Sequence, residues 1–141
     1  MRSYFGHRRL VLSLLIAVLP VAFSAPLVAA DAKPEKLSLS NKWRIEVHGN
    51  AESDGTVQLV VTPDQGVAST VNVTLVKGRS ENHVAKDIVT ALDAQLPKDA
   101  FHVERDDGED VLIKKRGKTP NFNVQVAANS VKDLRLNIEK E

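Results

Sequence analysis

The chain has 141 residues, with 19 Lys and Arg against 18 Asp and Glu, four His, no Cys and a hydrophobic content of 43%. The lack of cysteine excludes a disulfide framework, a thiolate nucleophile and thiolate metal ligation. The near-zero net charge gives no support to nucleic-acid binding, which needs a concentrated basic surface.

The first thirty residues divide into three parts. Met1 to Arg9 carries Arg2, Arg8 and Arg9 and no acid; Leu10 to Leu19 is apolar; Val28-Ala29-Ala30 presents small residues at its exit. This is the layout of a cleavable secretory signal, spanning residues 1–30, with the cut expected between Ala30 and Asp31 and a cut after Ala32 as the alternative. An uncleaved anchor needs about 20 apolar residues. Leu10 to Ala30 is long enough, but Pro20, Ser24 and Pro26 argue against a spanning helix. Cleavage would leave sixteen Lys and Arg against eighteen Asp and Glu, a net charge of −2. The expected mature molecule is therefore a small exported domain, most consistent with the periplasm, without a stable membrane anchor and held by its core alone.

Residues 31–40 are polar, include Pro34 and read as a flexible lead-in to a single α+β domain at 41–141. Trp43, Ile45 and Val47 alternate with Arg44, Glu46 and His48, the pattern of a strand with one dry and one wet face. Asn50 to Gly55 is turn material. Val57, Leu59 and Val61 form a second strand ended by Pro63, and Val71, Val73 and Leu75 a third, closed by Lys77-Gly78. The period then becomes helical. Ser80 is placed as an N-cap, and Val84, Ile88, Ala91, Leu92 and Leu96 make one stripe, widened by Ala85 and Val89, over about four turns before Pro97. Strand alternation returns at Phe101 and Val103, and at Val111 and Ile113, with Asp107-Gly108 as a hairpin signal between them. Phe122, Val124 and Val126, then Leu134, Leu136 and Ile138, give two more strands. The expected fold is a predominantly antiparallel, curved sheet in the order β-β-β-α-β-β-β-β, with one amphipathic helix packed on one face. Consecutive strands joined by short turns are expected to pair.

Seven strands at about 4.8 Å spacing would make a flat sheet about 34 Å wide, whereas a helix is about 10–12 Å across. One helix cannot cover every inward Val, Ile, Leu and Phe. The sheet must curl around the helix, split into two layers, or present apolar surface to another molecule.

The charged residues concentrate in two runs. Glu104, Asp106, Asp107, Glu109 and Asp110 make an acidic hairpin tip; Lys114, Lys115, Arg116 and Lys118 make a basic cluster after it. The plain reading is a solvated tip whose charge the basic run balances. The functional reading is a dipolar protein-binding surface built from Asp106, Asp107, Glu109, Asp110, Lys114, Lys115, Arg116 and Lys118, suited to steering a charged partner. The acidic run lacks EF-hand spacing. His48, His83 and His102 have no shared ligand spacing and read as separate surface histidines, with no metal and no cofactor implied. Trp43 reads as core. No Walker, Gly-x-Ser-x-Gly or His-Glu-x-x-His pattern is present.

These features favour a non-enzymatic periplasmic binding module, most concretely an inhibitor or immunity protein that neutralises a toxin or envelope enzyme. The expected partner is another envelope or secreted protein; homo-oligomerisation stays open. The alternatives are a small-ligand or lipid carrier with a pocket between sheet and helix, and an enzyme whose site assembles only in three dimensions.

Overall fold

Period-two alternation becomes strand and period-3.6 becomes helix at every place where the sequence shows them. The computed structural model describes residues 37–141; the expected signal segment and the Ala30–Asp31 cleavage point lie outside the described residues. The elements are β1 (Lys42–His48), β2 (Gly55–Pro63), β3 (Ser69–Leu75), α1 (Glu81–Gln95), β4 (Phe101–Asp106), β5 (Asp110–Lys115), β6 (Phe122–Asn129) and β7 (Arg135–Lys140). The strands form two antiparallel sheets, a four-stranded β4-β5-β1-β7 and a three-stranded β3-β2-β6. The fold is α+β, as expected from the periodicities.

The division into two sheets covers the surplus apolar surface. Helix α1 lies against β3 and β4, the outer strands of the two sheets, and reaches β1 and β5 as well. On the other side, Ser40 just before β1 pairs with Phe122, the first residue of β6, through two 2.9 Å backbone bonds. Between these two closures the inward residues of β1, β2 and β3, together with Val84, Ala85, Ile88 and Leu92 of α1, form one buried cluster. The large apolar side chains exposed among the described residues are Leu37, Val67 and Val76. The tail of the lead-in is tied to the domain: the Asn123 side-chain amide donates to Ser38 O at 2.8 Å, beside the Ser40–Phe122 bridge.

The expectation that consecutive strands pair holds for β2–β3 and β4–β5 and is corrected elsewhere. β1 pairs with β5 and β7, and β2 pairs with β3 and β6. The reason lies in Gly49–Asp54, which crosses from one sheet to the other instead of turning tightly. Ala51 is fully buried, donates to Arg79 O at 2.9 Å and accepts from Gly78 N at 2.8 Å. Glu52 N bonds Lys132 O, and the Asp54 carboxylate accepts from Lys77 N at 2.7 Å. Backbone groups that would have closed a hairpin are satisfied by distant loops, as burial requires.

Ser80 occupies the N-cap position but does not cap with its side chain. Its carbonyl accepts from Val84 N, while Oγ lies 2.8 Å from His83 Nδ1. Leu96 ends the helix in an extended conformation (φ −92°, ψ 149°), which the following Pro97 favours.

Candidate functional site

Alternation on four paired strands fixes what the outer face of the larger sheet displays. Because β1 turns Trp43, Ile45 and Val47 inward, it turns Lys42, Arg44, Glu46 and His48 outward. The register aligns them with neighbours of β5 and β4 in three rows. His102, Lys114 and Lys42 make a basic row; Asp106, Asp110 and Glu46 an acidic row; Glu104, Leu112 and Arg44 lie between them. Like charges directly opposite on neighbouring strands repel, so the pairing runs diagonally.

Arg44 is the hub. It donates to Asp110 and to Glu141 at 2.5 Å each and to Asp106 at 3.2 Å. Lys42 reaches the other oxygen of Glu141 at 2.8 Å. Lys114 pairs with Glu104, which also faces His102 at 3.1 Å. The hydrogen bonds that Arg44 donates to Glu141 and Asp110 raise its already high pKa. Lys42 and then Arg44 hold the Glu141 carboxyl below its ordinary range, and Lys114 and then His102 do the same for Glu104. Leu112 is 3% exposed although it faces outward and lies apart from the inner core. Its cross-strand neighbours are Arg44 and Glu104, whose long stems suit them to cover it.

The expected site residues are thereby sorted. Asp106 and Asp110 are engaged by Arg44, whereas Asp107 and Glu109 form the exposed turn and make no ion pair among the described residues. Lys114 pairs with Glu104, the member of the acidic run that lies in mid-strand, as the balancing reading expects. Arg116 turns back to Phe101 O and His102 Nδ1. Lys115 is half-buried, and Lys118 stands exposed in the turn that follows. Apart from the Lys114–Glu104 pair, the two runs lie towards opposite ends of the β4–β5 hairpin: Asp107 and Glu109 stand at its turn and Arg116 and Lys118 beyond the far end of β5, a strand of about 16 Å. Arg44 and Glu141 were not legible as members of this array, because the partners of β1 were unknown.

The three histidines stay apart: His48 faces Glu46 at 3.5 Å, His102 faces Glu104, and His83 meets Ser80. Among the described residues no three His, Cys, Asp or Glu are grouped to hold a metal. Two surface clefts flank α1. One, of about 290 Å³, lies against β3 and contains the Arg79–Asp87 pair; the other, of about 500 Å³, lies towards β4. No helix among the described residues is long and apolar enough to cross a membrane.

Replacing Arg44 with Ala leaves Asp106, Asp110 and Glu141 without their shared cation. We expect a loss of about 1–2 kcal/mol near neutral pH, scaled for partial exposure. Glu141 is depressed in the native state, so its contribution is present above the ordinary carboxylate pKa and lost as pH falls through the folded value. The variant lacks part of that depression, so its deficit should shrink in acid. Urea midpoints at neutral and acidic pH check this; a deficit constant with pH would refute the electrostatic assignment.

No family model matches the chain, and no curated protein matches it.

Proposed function

We propose that this domain works outside the cytoplasm as a non-enzymatic binding module that caps another envelope or secreted protein, in the manner of an inhibitor or immunity protein. The observation that carries the reading is the ordered charge on the outer face of the four-stranded sheet. Arg44, Lys42 and Lys114 are already held by internal pairs, so presenting this face to a partner costs little side-chain entropy. The unpaired Asp107 and Glu109 project at one end of the hairpin and Lys118 at the other, a separation of charge that steers and orients an oppositely patterned surface. The arginine-led apolar segment at residues 1–30 supports export.

Residues 31–141, carrying a tag on a flexible linker and expressed in the native periplasm, should co-purify with one protein at stoichiometric yield. Charge reversal at Asp107 and Glu109 together should weaken that recovery at least about tenfold at low salt, and less at moderate salt, where screening shrinks the charge contribution. Recovery of the domain alone at both low and moderate salt would overturn the reading.

A further inference from the structure

The cleft towards β4 is lined by basic and neutral side chains: Asn82, His83, Lys86, Val89, Thr90 and Arg105, with a volume of about 500 Å³ and no acidic residue in its walls. Asn82, Lys86 and Val89 follow one another along a single helical face, four and three residues apart. Arg105 comes from β4, which lies against α1. It shares the strand phase of Phe101 and Val103, and so turns to the side of the sheet where α1 packs.

Two full positive charges thus border one cleft. Five other cations, Arg44, Lys42, Lys114, Arg79 and Lys98, have carboxylate partners; Lys77, Lys115, Arg116, Lys118, Lys132, Arg135 and Lys140 have none among the described residues, and what sets Lys86 and Arg105 apart is that they line one cleft. Lys86 and Arg105 have none within ion-pair distance among the described residues. Of the acids near in sequence, Glu81 accepts from Gly49 N and Asp87 holds Arg79, while Asp107 and Glu109 are not among the residues lining the cleft. His83 adds a third donor. Its Nδ1 lies 2.8 Å from Ser80 Oγ; in the tautomer that accepts the hydroxyl proton at Nδ1, Nε2 carries the other proton and can donate. The Thr90 hydroxyl is spent on Lys86 O at 2.9 Å. Asn82 packs against the β4–β5 turn at Gly108, a neighbour that helps fix the upper wall.

We propose that this cleft binds a phosphate monoester. A phosphomonoester carries about 1.5 to 2 negative charges at neutral pH and three acceptor oxygens, matching two cations and an imidazole donor. A lone carboxylate would leave one cation unanswered. The cleft is larger than a bare phosphate ion, and Val89 offers an apolar surface for the attached carbon group. The shared chemistry covers both a soluble phosphorylated molecule and a phosphatidic-acid headgroup.

The test is amide chemical-shift titration of residues 31–141 with glycerol phosphate and with inorganic phosphate, against chloride at matched ionic strength, alongside sedimentation with phosphatidic-acid vesicles in a phosphatidylcholine background. Saturable shifts centred on Asn82, His83, Lys86 and Arg105 are expected with glycerol phosphate. Lys86→Gln and Arg105→Gln should each weaken binding about tenfold; Lys86→Arg should retain it, and Lys98→Gln, beyond the opposite end of α1, should leave it unchanged. Binding to vesicles alone, lost in the same two variants, assigns the headgroup as the source. Shifts no larger than those with chloride and no variant-sensitive sedimentation would overturn the site. So would equal losses in Lys98→Gln, or binding of inorganic phosphate without either ester.

Discussion

Phe122→Ala should cost the domain about 3–5 kcal/mol, the range for emptying a fully buried aromatic position. Phe122 is fully buried and meets Phe101 edge to face, with ring centroids 5.0 Å apart at 73°. Its position also matters. It begins β6, pairs with Pro63 of β2 in the smaller sheet, and exchanges backbone bonds with Ser40 next to β1 of the larger one. Its carbonyl accepts from Trp43 Nε1 at 2.7 Å. The ring therefore fills the core where the two sheets are stitched together, and neighbours held by two sheets have little freedom to collapse into the space. Because Trp43 is the sole tryptophan, its fluorescence during urea unfolding reports this junction directly. Small domains have only about 5–15 kcal/mol of stability, so the variant should be substantially unfolded well below the wild-type midpoint. A loss under about 1 kcal/mol would show that the junction relaxes around the cavity.

Gly49→Ala tests the crossing segment. Gly49 has φ +85°, and a Cβ there would lie 2.3 Å from Asp133 O, a backbone atom unable to swing aside. Its N–H also donates to the Glu81 carboxylate at 2.5 Å, which ties the end of β1 to the first turn of α1. Left-handed strain alone costs about 1–2 kcal/mol, and displacing the Asp133 loop adds to it, so a total of about 3 kcal/mol is expected. Gly78 provides the comparison. It has nearly the same φ, +87°, with nothing within 4 Å of an added Cβ. Gly78→Ala should lose only the strain. Thermal midpoints of the two variants check the contrast, and equal losses would mean that the contact with Asp133 carries no weight.

Much of this domain follows from local pattern. Trp43, Ile45 and Val47 alternate, and all three are buried; Val84, Ile88 and Leu92 recur at helical spacing, and all three are buried. The hairpin at Asp107-Gly108 forms where the turn chemistry puts it. The charged residues of Glu104 to Lys118 were visible as two opposed runs, but not as two ends of one hairpin with Arg44 drawing Asp106 and Asp110 inward. Leu112 was equally hidden, since strand phase places it outside and only long neighbours from β1 and β4 explain its burial.

The difference has a physical cause. Whether a segment is helix or strand, which of its faces is dry and where it stops depend on residues a few positions apart, and those are written consecutively in the chain. Which strands lie side by side depends on how all the dry faces can be buried at once. Here seven strands and one helix achieve that by dividing into two sheets, with the buried Ala51 crossing bonded to Gly78 and Arg79. That crossing sends β1 away from β2 and towards β5 and β7, and with it brings Arg44 to its carboxylates. The cleft of Lys86 and Arg105 likewise exists only because α1 packs against β4, so its charge became meaningful when distant residues met.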